Sequence, residues 1–493
     1  MWGLPPSTGV DPLLRKKGVH SIVRLSSGSR RGDLCAFQVL RTIGQMVALR
    51  SKIALTCLAH GEIRVYGRRS VLQGLAYGFL VAGGAARPTR AAVSLAAGPM
   101  PGCLRPDGAT LWLQGNAPAK LRVEYWDVLA PQKRMLSGEY ALTAVEDYIA
   151  YLRIGGLGPS RRYAYRVLLD GVVQVIPEPL LFRTSGAGGI YAPFKMLAGS
   201  CAYTKDAPIF ESMARQRPDG MLWLGDNVYF QRSALLITGE WASAEAMHNR
   251  YRLDRQAAAL QPLLRCTHHY AVWDDHDYGP NDADGGYTLK RESLDLFKRF
   301  WDNPGYGLPD TPGVFTRFEH NGVDFFLLDD RYHRTGDQML GEKQTAWLKD
   351  GLLRSRGVFK VVAGGNQMFN DDNRFEGWNR FVREREDFVR WLSANRIRGV
   401  LFLSGDRHFT ELLRYERPGT YPLYELTCSP LTSKAYKEAQ KASATVPGTF
   451  VTENNFASLE FGGGATDARL LLRCWNIQGK QLWEQKILAA NLQ

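Results

Sequence analysis

The chain has 493 residues, 45% of them hydrophobic and 23% charged, and a formal net charge of +13. That length suits two or three domains of ordinary globular composition, and no internal repeat or low-complexity tract interrupts it. The basic excess is uneven: residues 1–86 hold 12 Lys and Arg against 3 Asp and Glu, while the other 407 residues net only +4, so a nucleic-acid-binding module loses its main support.

The first recognisable feature is Gly67-Arg68-Arg69-Ser70 ahead of a modest apolar stretch, Leu75 to Ala82, and then the small residues Gly83-Gly84-Ala85-Ala86. Paired arginines, an apolar run and a small-residue cleavage site predict a leader over 1–86 with a twin-arginine-like signal. The partner implied is the twin-arginine export machinery, and the product is expected to be exported (periplasmic, cell-surface or secreted). A membrane span needs about 18 apolar residues, and no segment approaches that, so the mature form is expected not to cross a membrane.

Residues 90–185 read as an all-β sandwich domain. Ala109–Gln114, Leu121–Trp126 and Tyr163–Leu169 alternate apolar and polar residues as half-buried strands do, and Asp170-Gly171 supplies a turn. Thr184–Gly189, rich in Gly and Ser, reads as a linker.

From 190 to 493 strands alternate with helical patterns, which predicts an α/β core with helices covering the sheet. Four short apolar runs each lead into polar residues. Phe194–Ser200 ends at Cys201, and Met221–Leu224 runs into Gly225-Asp226-Asn227. Tyr270–Trp273 is followed by Asp274-Asp275-His276-Asp277, and Val400–Ser404 by Gly405-Asp406-Arg407-His408. A helix over Glu342–Leu353 precedes a strand Phe359–Ala363, and Phe381, Val382, Phe388, Val389 and Leu392 mark one face of a second helix. Leu470–Leu488 returns to strand-like alternation. Cysteines at 35, 57, 103, 201, 266, 428 and 474 form no CxxC pair, and five lie beyond residue 86. An odd number leaves at least one unpaired, and Cys201 is the choice for it.

Strand ends are where layered α/β proteins gather their chemistry, and four such endings in one chain suggest a shared metal site. Asp226 follows a buried strand and a permissive glycine, and its two oxygens suit it to bridge two cations. Asp406 and His408, two apart, point the same way if that segment is extended. Tyr229 faces the same site if the chain turns helical after Asp226. Asn281 offers a neutral oxygen, and a Cys201 thiolate suits a transition metal. Taken singly these residues are better read as a helix cap, a turn residue, a packed ring or a buried thiol; their joint occurrence reverses that preference and favours the metal site.

Gly199-Ser200-Cys201, Gly225-Asp226-Asn227-Val228-Tyr229, Trp273-Asp274-Asp275-His276-Asp277 and Leu403-Ser404-Gly405-Asp406-Arg407-His408 resemble, in order, the motifs of the alkaline phosphatase D (PhoD-like) metallophosphatases. Leu328-Asp329-Asp330-Arg331 and Gly341-Glu342-Lys343-Gln344 add to the likeness, which covers roughly residues 95–490. The resemblance implies an α/β (α+β) two-sheet metallophosphatase core behind the N-terminal sandwich, and iron(III) with calcium as cofactors. It implies Cys201, Asp226, Tyr229 and His408 around the iron, and Asp226, Asn281 and Asp406 on the calcium side. Asn281 stands one residue further from its motif than the family pattern has it.

The function expected is that of an exported metal-dependent phosphoesterase that cleaves phosphate monoesters, diesters or both through a metal-activated hydroxide. Arg331 and Arg407 are candidate partners of the phosphate or its ligands, and His276 a candidate acid for the leaving group. The alternatives are a phosphodiesterase or phospholipase on the same scaffold, and a noncatalytic cell-surface binding protein.

Overall fold

The structure is a computed structural model that describes residues 92–493 except 187, 189, 190, 233–238, 373 and 465. In the segment before them it also describes the strands Ile53–Cys57 and Ile63–Gly67, which pair antiparallel. Arg68-Arg69 and the apolar stretch behind them lie outside the described residues.

Residues 92–493 form one compact unit. Its first strands are β1 (Leu95–Pro101), β2 (Ala109–Gly115), β3 (Ala119–Asp127), β4 (Ile149–Ile154) and β5 (Arg162–Leu169). One sheet has the order β1-β2-β4, and β3 and β5 are the centre of the other. Successive strand residues point to opposite faces, so Leu111, Leu113 and Leu152 of the first sheet share a core with Val123, Val167 and Phe182 of the second. Asp170 and Gly171, with φ of 48° and 80°, turn β5 back on itself as a two-residue loop does.

Two expectations change at the junction with the rest of the chain. All seven residues of β2 are buried rather than alternate ones. The reason is a second covered face: Trp112 donates from Nε1 to the Arg299 carbonyl at 3.0 Å, with its ring 6.1 Å from Phe300. The stretch read as a linker also begins buried, with the Thr184 and Ser185 amides donating to the carbonyls of Arg161 and Arg105. His268 ties the same junction, accepting from the Arg183 amide at 3.0 Å and donating to the Gly102 carbonyl at 2.7 Å.

The remaining chain is built on two six-stranded sheets. In chain order the strands are β6 (Phe194–Gly199), β7 (Gly220–Leu224), β8 (His268–Val272), β9 (Thr316–His320), β10 (Val323–Leu327) and β11 (Phe359–Ala363). They continue with β12 (Val400–Ser404), β13 (Glu411–Tyr415), β14 (Leu423–Thr427), β15 (Asn455–Gly462), β16 (Arg469–Asn476) and β17 (Gln481–Leu488). One sheet runs β8-β7-β6-β15-β16-β17 and the other β9-β10-β11-β12-β14-β13. Strands β6 to β8 are mutually parallel, as are β10, β11, β12 and β14.

The sheets share their core: Met196, Ala198, Leu222 and Tyr270 of one pack in a cluster with Phe325, Val361 and Leu401 of the other. The intervening residues Leu197, Met221 and Trp223 pack instead with α1 (Ile209–Arg215), α2 (Ala244–Arg255), α3 (Gln261–Cys266) and, beyond the short α4 (Asp275–Tyr278), α5 (Lys290–Phe300). On the second sheet α6 (Glu342–Arg354) contributes Leu348 and Leu352, and α7 (Val382–Ala394) contributes Phe388 and Leu392. Val382, expected on that apolar face, is exposed in the first turn of α7. The loops that leave the C-terminal ends of β7, β8, β11 and β12 line one cavity, the usual place for a site in parallel sheets.

Candidate metal centre and active site

The backbone at these strand ends is unusual before any side chain is considered. Cys201, Asp226, Asp406 and His408 have φ of 58°, 53°, 64° and 55°. Left-handed backbone costs a non-glycine residue about 1–3 kcal/mol and persists where surrounding structure enforces it. Asp406 and His408 therefore do not lie on an extended segment, as their spacing suggested; two left-handed residues turn them into the cavity. Tyr229 reaches the site without the helical turn expected after Asp226, since residues 226–230 form only bends and coil. Close approach of the strand ends depends on glycine. A Cβ on Gly405 would stand 2.4 Å from the Leu224 carbonyl oxygen and 2.6 Å from Ser200 Cβ, and one on Gly225 would stand 2.6 Å from Asp274 Cβ.

Four of the residues singled out in the sequence meet here. The ligand atoms of Cys201, Asp226 and His408 lie within 4.8 Å of one another. Tyr229 donates from its hydroxyl to Asp226 Oδ2 at 2.8 Å and lies 3.3 Å from His408 Nε2. The Cys201 thiol is 3.6 Å from Asp226 Oδ2 and receives the Ser429 hydroxyl at 3.1 Å, while Ser433 donates to the Tyr229 oxygen at 3.0 Å. Thiol, carboxylate, phenol and imidazole are converging donors with no cationic side chain among them, a set that fits a transition metal. Burial, reinforced by Asp226, pushes the Cys201 thiol and the Tyr229 phenol well above their usual ranges, and burial lifts Asp226 to about 6. A bound cation acts in the opposite sense and favours the ionised forms. Among the described residues all five cysteines are free, Cys103, Cys266, Cys428 and Cys474 as well as Cys201.

Asp226 also belongs to a second group, with Asp275 and His276, whose ligand atoms again lie within 4.8 Å. Its Oδ2 faces Cys201 and Tyr229 while its Oδ1 accepts the His276 amide at 3.3 Å. The two oxygens thus address two different groups of donors. Asp406 and Asn281 line the cavity beside them, but the Asp406 carboxylate stands outside both groups and Asn281 is exposed on the wall.

Arg331, a candidate partner of the phosphate or of its ligands, is fully buried with its guanidinium occupied, which favours the second of those roles. Nε donates to Asp274 Oδ1 at 2.7 Å and Nη1 to Glu376 Oε2 at 3.1 Å, with a further bond to the Ala283 carbonyl at 3.2 Å. A third acidic group, Asp274, Asp275 and Glu376, has its ligand atoms within 4.8 Å, and Arg331 supplies the positive charge there. Arg331 is a positioning residue.

Arg407 does line the cavity, with Asp372 Oδ2 3.3 Å from its Nη2. His276 lines it too, its ring stacked 4.5 Å from that of Tyr229. Burial works against the imidazolium of His276, but Asp226, Asp275 and Asp406 outweigh it and raise its pKa. His408 moves the other way, lowered by burial and by His276. Opposite shifts in neighbouring imidazoles suit one to proton donation and the other to ligation as a neutral ring.

Sequence reasoning missed Asp275 and Glu376. Asp275 sits in a motif already quoted, but four consecutive polar residues on a strand end do not declare which faces the site. In α4, where each residue turns by about 100°, Asp275 and His276 take the cavity while Asp277 turns away to accept from Asn227 Nδ2 at 2.7 Å and the Asp274 amide at 2.7 Å. Burial raises the Asp275 carboxyl, yet Arg331 and His276 bring it to about 2. Glu376 lies far along the chain with no local pattern around it.

A family model described as PhoD-like phosphatase matches residues 321–469, and one described as a domain of unknown function (DUF7800) matches residues 92–183. No curated protein sequence matches the chain. Among solved structures, one titled as the structure of PhoD is 16% identical with a TM-score of 0.65, over 79% of this chain and 88% of that one. The purple acid phosphatase PPD1 from yellow lupin (Lupinus luteus) seeds is 12% identical with a TM-score of 0.56, over 79% of this chain and 74% of that one. At such identities these likenesses show a metallophosphatase-like fold, and with the family model over residues 321–469 the chain carries a PhoD-like phosphatase domain and is a phosphoric ester hydrolase.

Proposed function

We propose that this hydrolase is exported and metal-dependent, holding iron(III) through Cys201, Asp226, Tyr229 and His408 and calcium beside Asp226, Asn281 and Asp406, and that it cleaves phosphate monoesters, diesters or both. The observation that carries the reading is the convergence of those four side chains, from the ends of three different strands, around an Asp226 whose two oxygens face different donor groups. Bound there, the ions would supply Lewis acidity to the phosphoryl oxygens and lower the pKa of water.

The chain's own groups account for the rest. Arg407, held by Asp372, meets phosphate oxygens entering the cavity. His276, its proton retained by the surrounding carboxylates, hands that proton to the departing alkoxide. Arg331 keeps Asp274 and Glu376 in place and leaves Asp275 ionised beside His276. The phosphatase family model over residues 321–469 argues against the noncatalytic alternative. The phosphodiesterase and phospholipase alternatives use the same scaffold, and the loops that wall the cavity decide among them.

Export rests on Arg68-Arg69 and the apolar stretch after it. Among the described residues no helix is long and apolar enough to cross a membrane. The test is metal analysis of the purified protein together with turnover of monoesters, diesters and phospholipids. Stoichiometric iron with calcium and cleavage of at least one ester class is the expected result; metal-free protein with undiminished turnover overturns the metal assignment.

A further inference from the structure

The wall of the cavity above the acidic floor carries an aromatic pair, one ring exposed and the other half-buried. The cavity has a volume of about 720 Å3, and both Phe375 and Tyr436 line it. Their rings meet edge to face, with centroids 5.6 Å apart at 75°. Phe375 keeps 39% of its surface exposed although its neighbours in sequence are Arg374 and Glu376, so local burial does not explain a phenyl ring there. Charge holds the ring instead. The Arg407 guanidinium carbon lies 4.8 Å from the Phe375 centroid and that of Arg374 5.7 Å, and Asp372 ties both arginines, at 3.3 Å and 2.9 Å. A cation against a ring is attracted by its quadrupole. Arg407 also adjoins Asp406 and His408 in the chain, so the ring stands next to the floor on which a phosphoryl group would rest. Arg380 and Lys434 face the same cavity without an ion-pair partner among the described residues, which keeps this wall attractive to anionic substrates.

We propose that Phe375, braced by Tyr436, is a stacking platform for a planar ring on the alcohol side of the substrate, so that the site selects nucleoside and aryl phosphoesters over those of flexible alkyl alcohols. The inference rests on the phosphoesterase reading above and adds the class of alcohol. A flat ring laid on an exposed phenyl covers apolar surface on both partners and brings the phosphoester to Arg407, whereas a flexible alkyl chain has no face to offer.

The experiment compares adenosine 5′-monophosphate with ribose 5-phosphate on the metal-loaded enzyme, and the same pair as methyl diesters. Each monoester departs as a primary alkoxide of one sugar, so intrinsic reactivity cancels and the ratio of kcat/KM reports the base. Stacking of a base on an aromatic side chain corresponds to a preference of about 5- to 150-fold for the nucleotide, carried mainly by KM. Phe375→Leu is expected to abolish that preference while ribose 5-phosphate turnover stays within about twofold, and Phe375→Trp to restore it. Equal loss on both substrates, or an unchanged ratio in Phe375→Leu, overturns the platform. A wild-type enzyme that cleaves both esters equally refutes it and leaves the phosphoesterase reading standing. A metal-loaded enzyme that cleaves neither pair but turns over phospholipids refutes the platform alone, and one that cleaves none of the three ester classes removes the phosphoesterase reading with it.

Discussion

Replacing Arg331 with Met keeps a long unbranched side chain and deletes the charge at the centre of a fully buried acidic cluster. In the wild-type protein that guanidinium meets Asp274 at 2.7 Å and Glu376 at 3.1 Å, with none of its side chain exposed. Removing one partner of a buried pair costs about 3–5 kcal/mol, because the other charge is left without compensation. Two pairs are lost on paper, but Arg334 still holds Glu376 and Asn366 still donates to Asp274 at 2.9 Å. The expected loss is therefore that of about one pair, roughly 3–5 kcal/mol. The sign of the pH dependence follows. With Arg331 present, the depressed Asp275 carboxyl adds stability above its ordinary 3.8, and this is lost as pH falls towards 2. Without Arg331 the buried carboxyls rise instead, and a raised carboxyl stabilises only while protonated, so the deficit is smallest in acid and grows towards neutrality. Urea-unfolding midpoints of the variant and the wild type at pH 5 and pH 8, at equal metal content, measure the loss and its growth towards neutrality. If Arg331→Met unfolds at the wild-type midpoint and shows only a higher KM for phosphoesters, the guanidinium acts on substrate and the positioning role is wrong.

The other expectations are more direct. Asp226→Asn should lose bound metal and nearly all turnover; full metal content with normal kinetics would rule out a bridging carboxylate. Iron(III) held by thiolate or phenolate should colour the concentrated protein, and Cys201→Ser should shift or bleach the absorption band, with Tyr229→Phe doing so only if the phenolate is a ligand. A colourless active enzyme containing only zinc or calcium would defeat the iron assignment without touching the phosphoesterase. Gly405→Ala should lower Tm and metal content together, since its Cβ meets a backbone oxygen at 2.4 Å that has no room to retreat; a variant as stable as wild type would mean the strand ends are looser than they look. Replacing Arg68 and Arg69 with Lys should leave precursor in the cytoplasm, and unchanged export would point to another route.

What was legible in the sequence, and what was not, divides along the range of the forces involved. Strands β11 and β12 occupy Phe359–Ala363 and Val400–Ser404, the bounds that their apolar runs delimit, because a strand buried on both faces needs little more than five apolar residues between breakers. The C-terminal hairpin β16–β17 was visible as alternation, but not its attachment through β15 to β6, which depends on partners hundreds of residues away. The same holds for β2, whose second buried face is made by Arg299 and Phe300 and leaves no mark in its own sequence. At the site, residue types at strand ends identified Cys201, Asp226, Tyr229 and His408 as neighbours, while the local conformations assumed for Tyr229, Asp406 and His408 were wrong.

That combination has a physical reason, and it bears on how the site is held. Chemistry fixes which donors must converge, so their identities stand out in the sequence. The backbone that brings them together is strained, with four left-handed non-glycine residues at one end of the sheets, and such conformations contradict local propensity. Only the surrounding packing sustains them: Gly405 wedged against Leu224 and Ser200, Ser429 and Ser433 bonded to Cys201 and Tyr229, and Arg331 locked between Asp274 and Glu376. Local rules therefore fail where tertiary structure overrides them to build a site, and each failure marks a residue whose position depends on the whole fold. By that criterion Asp406, whose carboxylate stands outside both donor groups, is held by the whole fold in a left-handed conformation on the wall of the cavity.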